Sequence, residues 1–106
     1  MEKRKSQTNN WMKSIVDRYG ENYILRQISE ESCELAQAAL KLIRAKREET
    51  PVSVEEAMQK LVEEFADVSV MMSFVHTFVF NQSHRELETD FRLEKMKRMK
   101  NRMLGG

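Results

Sequence analysis

A chain of 106 residues with 41% hydrophobic and 33% charged content fits one soluble domain with a modest core. Three glycines and one proline leave few breaks, so long helices are expected and β architectures are not. A net charge of +1 gives the whole molecule no drive toward nucleic acid, and a single cysteine, Cys33, excludes an internal disulfide and a zinc-type Cys/His spacing.

Residues 1–8 (MEKRKSQT) are polar and basic and read as a flexible N-terminus. Residues 1–14 contain no apolar h-region of a signal peptide, so with one reduced thiol the expected setting is cytoplasmic. Asn9 or Asn10 can cap a short helix through Trp11, Ile15 and Tyr19 that ends at Gly20. Trp11 is either a packing anchor or one wall of a nucleobase pocket. A long helix is predicted from about Asn22 to Lys46, and Pro51 prevents it from running through the connector at 47–52. Ser53-x-x-Glu56 is a capping box opening the next helix, which extends to about Phe80. Its apolar run, Val68 to Phe80, is interrupted by Ser73, His76 and Thr77 and is too short to span a bilayer. Asn81-Gln82 makes a turn, and Ser83-x-x-Glu86 is a second capping box. The last helix runs through Leu87, Phe91, Met96, Met99 and Met103 to Gly105-Gly106.

Residues 9–104 thus form a single all-α domain. Each of its two long helices has about 25 residues and a length of roughly 37 Å. Helices of that length, one of them apolar on nearly every side from Val68 to Phe80, need a second copy to cover them. A homodimer or homotetramer is expected.

Two acidic clusters organise the chain: Glu30-Glu31-Ser32-Cys33-Glu34 and Glu63-Glu64-Phe65-Ala66-Asp67. Positions three apart share a helix face, with roughly 5–6 Å between Cβ atoms. Glu31 can therefore converge with Glu34, and Glu64 with Asp67. The first apolar stripe is Ile24, Ile28, Leu35, Ala38 and Leu42, with Glu31 in its gap. The second is Val54, Leu61, Phe65, Val68, Met72, Val75 and Val79, with Glu64 inside it and Asp67 at its border. A lone buried carboxylate costs several kcal/mol or takes up a proton. Glu31, Glu34, Glu64 and Asp67 on two core-facing stripes make sense around a divalent cation. No Glu-x-x-His supplies nitrogen ligands for iron, and His76 and His84 lie off the acidic faces, so an all-oxygen site for Mg²⁺, or Mn²⁺ in its place, is expected.

Such an ion keeps several waters and binds substrate phosphates. Lys95, Arg98 and Arg102 share one face of the last helix and are candidates for the phosphates; Lys97, Lys100 and Asn101 surround them. The same residues also suit a solvated basic helix end. A nucleic-acid patch is disfavoured by the near-neutral charge and the lack of interleaved aromatics.

The order Glu30-Glu31-x-x-Glu34 followed one helix later by Glu64-x-x-Asp67 resembles the MazG-like all-α nucleoside triphosphate pyrophosphohydrolases. Tyr19-Gly20, Gln27 and the ending Lys95-Met96-Lys97-Arg98-Met99-Lys100-Asn101-Arg102-Met103 resemble the short phage and Gram-positive members, over roughly residues 11–103. Ile24 departs from the glutamine often found there. The resemblance implies a helical bundle with two long antiparallel helices carrying E-x-x-E and E-x-x-D, completed by oligomerisation. It implies Mg²⁺-dependent hydrolysis of a (d)NTP to (d)NMP and pyrophosphate, with Glu31, Glu34, Glu64 and Asp67 as metal ligands. Glu30 and Glu31 are the catalytic candidates; Glu30 would take the proton, bind an outer metal, or simply be a surface acid. Lys95, Arg98 and Arg102 would clamp the triphosphate. The contrasting expectation is a non-catalytic helical module that binds nucleotide or another protein.

Overall fold

The computed structural model describes the backbone from Glu2 to Gly105 and side chains from Gln7 onward. The described residues form four α-helices: α1 (Glu2–Tyr19), α2 (Glu21–Lys46), α3 (Val54–Phe74) and α4 (Gln82–Leu104). A π-helical turn, Val75–Val79, prolongs α3. No helix among the described residues is long and apolar enough to cross a membrane.

Helix α1 starts at Glu2 rather than at an Asn9 or Asn10 cap. The segment EKRKSQTN contains no glycine or proline, and its lysines, arginine, glutamate and glutamine are good helix formers. Met1 lies outside the described residues. Gly20 separates α1 from α2 at φ 86°, ψ 174°, a backbone region essentially reserved for glycine. Across that break Tyr19 stacks on Tyr23 at 4.8 Å between ring centroids, with the Arg18 guanidinium 5.4 Å from the Tyr19 ring. Trp11 is 56% exposed. It borders a hollow between α1 and the end of α3, with Ile15, Val70 and Phe74.

Helices α2 and α3 pack side by side and antiparallel. Leu42 and Ala45 meet Ala57 and Leu61 near the connector, Glu34 meets Glu64 midway, and Ile28 shares a hollow with Met72 at the far end. The connector begins with a Schellman turn. The Glu48 N–H donates to the Ala45 carbonyl (3.1 Å) and the Glu49 N–H to the Arg44 carbonyl (3.0 Å). Glu48 sits at φ 57°, the left-handed position that usually holds glycine. Glu48→Gly should therefore stabilise the protein by about 1 kcal/mol. The check is a higher denaturant midpoint at unchanged slope; no shift would mean that Glu48 carries no strain.

Ser53 caps α3, its Oγ accepting the Glu56 N–H at 3.1 Å. The buried face of α3 differs from the predicted stripe. Ala57, Glu64, Val68 and Phe74 are buried with Leu61 partly so, whereas Phe65 is 63% exposed and Met72 and Val54 also face outward. Helix α3 is apolar on several sides, so spacing alone could not choose which side meets α2.

Helix α4 is capped by Asn81, not by Ser83. The Asn81 Oδ1 accepts the His84 N–H at 2.9 Å, and His84 Nδ1 accepts the Asn81 N–H at 3.1 Å. The imidazole fills the role expected of Glu86. The Arg85 guanidinium ties the start of α4 to the π-turn, donating to the carbonyls of His76 (2.9 Å) and Phe80 (2.7 Å). Beyond this junction α4 projects from the α2–α3 pair with no buried residue of its own.

The result is an open shape. The Cα radius of gyration is 17.5 Å, against about 13 Å for a compact domain of this length. The accessible surface is 8849 Å², against about 6,200 Å² for a folded monomer of this mass.

Candidate metal centre

The acids that converge sit midway along the α2–α3 seam. Glu31 and Glu34 lie one turn apart on α2, and Glu64 reaches them from α3. One carboxylate oxygen of each falls within 4.8 Å of the other two. Oxygen ligands about 2.1 Å from one ion lie at most about 4.2 Å from each other, so small side-chain rotations would close this set around a cation.

Burial makes the convergence costly without a partner. Glu64 is only 4% exposed and is the one buried charged residue among those described. Its Oε1 accepts from Lys60 Nζ at 2.9 Å, while its Oε2 and the Oε2 of Glu31 are buried with no hydrogen-bond donor. Lys60 is shared with Glu63, 3.6 Å away. One ammonium thus faces three clustered carboxylates, leaving a charge deficit that a divalent cation would cancel. The repulsion is visible in Glu34, whose pKa is raised. Its main cause is the hydrogen bond that a proton on Glu34 would give Glu64, followed by the charges of Glu64 and Glu31. Glu64 and Glu63 raise the Lys60 pKa, chiefly through the hydrogen bond to Glu64 and then the charges of Glu63 and Glu64. Three carboxylates in this arrangement could hold a metal ion, and an all-oxygen donor set fits a hard cation.

The remaining candidates lie apart from this group. Asp67 is exposed, one turn beyond Glu64, and its carboxylate is not among the three that converge. Glu30 is exposed beside Glu31. Lys95, Arg98 and Arg102 are exposed on α4, the helix that leaves the α2–α3 pair; Lys95 borders an apolar groove with Phe80, Leu87, Phe91 and Met96. His76 faces Glu88 at 3.8 Å, and His84 is taken up by the cap, so neither reaches the acids. Lys60 was not among the predicted residues. Its position four before Glu64 on the same helix was the available signal.

Set against protein-family models, curated proteins and solved structures, the chain gives no match.

Proposed function

We propose that this chain is a Mg²⁺-dependent nucleoside triphosphate pyrophosphohydrolase of the MazG-like type, cleaving a (d)NTP to (d)NMP and pyrophosphate, with Mn²⁺ able to replace Mg²⁺. The supporting observation is the buried Glu64 carboxylate, with an unpartnered oxygen, meeting Glu31 and Glu34 across two helices. Glu31, Glu34 and Glu64 would hold the ion, and Asp67 would join them by turning inward from its exposed position. A bound divalent cation supplies charge neutralisation for the phosphoryl oxygens and lowers the pKa of a coordinated water. The exposed Glu30 carboxylate, next to Glu31 in the chain, would accept a proton from the attacking water. Lys95, Arg98 and Arg102 would bind the triphosphate once a second copy brings its α4 to the cluster, because α4 is not packed on the helices that carry the acids.

The exposed apolar faces of α3 and α4 favour one competing reading, a non-catalytic helical module that binds nucleotide or protein. Pyrophosphate release from a panel of ribo- and deoxynucleoside triphosphates separates the two. The enzyme should release pyrophosphate with Mg²⁺ and stop in excess EDTA. No release from any nucleotide by folded, Mg²⁺-supplied protein would leave the interaction module.

A further inference from the structure

Resting on that reading, we infer that Lys41 and Lys60 form an anion subsite beside the acidic cluster, built to hold the diphosphate end of a polyphosphate. A cavity of about 230 Å³ opens between α2 and α3, lined by Glu34, Gln37, Ala38, Lys41, Lys60 and Glu64. Two of its walls are therefore acids of the cluster itself. On α2, Glu34, Gln37 and Lys41 follow one another at helical spacing on a single face. On α3, Lys60 lies one turn before Glu64, and because the helices run antiparallel both lysines stand on the same side of the acids. Ala38, buried between them, has a methyl where a longer side chain would fill the hollow.

The charges are arranged in sequence: acids, then two ammonium groups around an open space. Lys60 is held by Glu64 and Glu63, whereas Lys41 has no ion pair among the described residues. Once Glu64 engages a divalent cation, the Lys60 ammonium loses its main counter-charge and is repelled from the site. An anion in the cavity restores the balance, in reach of both lysines and the Gln37 amide. Lysine binds phosphate as a mobile point charge, which suits a group that must exchange partners. The subsite belongs to one chain and needs no contribution from the basic face of α4.

The test is calorimetric titration of inorganic pyrophosphate into the full-length protein with excess Mg²⁺. Wild type should bind, and Lys41→Gln should bind about tenfold more weakly, the loss of one charge-assisted contact. Its unfolding transition should not move, because that ammonium is exposed and unpaired. Lys41→Glu should weaken binding further. Lys60→Gln should follow the same trend but leaves Glu64 without its counter-ion, so Lys41→Gln carries the test. Equal pyrophosphate affinity in wild type and Lys41→Gln, or no binding to wild type, would overturn the subsite. If nucleotide is hydrolysed while Lys41→Gln binds pyrophosphate normally, the enzyme reading stands and the subsite falls. If Lys41→Gln loses pyrophosphate binding but no nucleotide is hydrolysed, the subsite stands and the enzyme reading falls.

Discussion

Glu64→Gln should leave the protein folded and, if the chain is the proposed pyrophosphohydrolase, lower turnover by at least about a thousandfold, equivalent to about 4 kcal/mol of transition-state stabilisation. The substitution keeps the shape of a side chain that is 4% exposed, so no cavity forms. Its amide retains an acceptor for Lys60 and gains a donor that the unpartnered Glu31 oxygen can accept. Without metal the variant should therefore be at least as stable as wild type, because one of three mutually repelling charges is gone. With Mg²⁺ the order reverses. Binding to the native state alone adds about 2.7 kcal/mol at a hundredfold excess over Kd, and only wild type should show that gain in a thermal melt. A variant that turns over like wild type would remove Glu64 from the ligand set.

Phe91→Asp should have the second large effect, on assembly. Phe91 is 57% exposed in the single chain and lines a groove of about 560 Å³ with Phe80, Leu87 and Met96. In a protein that works as a monomer, such a surface change moves stability by no more than about 0.5 kcal/mol. The open shape argues otherwise. The surface exceeds that of a compact monomer by about 2,600 Å² per chain, or about 5,200 Å² for two chains, at the upper end of the total area that obligate homo-oligomers bury. Placing an unpaired carboxylate in such an interface costs several kcal/mol. Wild type should scatter light as a multiple of the 12.6 kDa chain, and the variant should fall to one chain with a lower melting temperature. A wild-type mass of 12.6 kDa would contradict the oligomer.

The sequence was most readable where one physical rule acted alone. The α2 stripe was legible because its apolar residues recur at helical spacing: Ile24, Ala38 and Leu42 are buried as that spacing indicates, while Leu25, Leu40 and Ile43 outside it are exposed. Ser53 caps α3 where the spacing placed it, its Oγ accepting the Glu56 N–H. Among the described hydrogen bonds the Glu56 side chain does not return one to the Ser53 backbone, so only half of the predicted capping box is formed. On α3 several sides are apolar, and the facing of Phe65 and Met72 depended on α2, which periodicity cannot see. Glu64, inside the apolar stripe, is buried, whereas Asp67, at its border, is exposed. At α4 the spacing pointed to Ser83 as the cap and to a turn at Asn81-Gln82. Asn81 caps the helix instead, its Oδ1 accepting the His84 N–H while the His84 Nδ1 accepts the Asn81 N–H, a pairing that an Asn-x-x-His spacing allows. Lys60 escaped notice because a lysine one turn from a glutamate reads as an ordinary surface pair until the glutamate proves to be buried.

The central claim is that Glu31, Glu34 and Glu64 bind a divalent cation between α2 and α3. Titrating Mn²⁺ into metal-free protein, with free ion followed by electron paramagnetic resonance, tests it without requiring any substrate. Wild type should take up Mn²⁺, with Mg²⁺ competing, and Glu64→Gln should take up almost none. No uptake by wild type, or equal uptake by Glu64→Gln, would contradict the account.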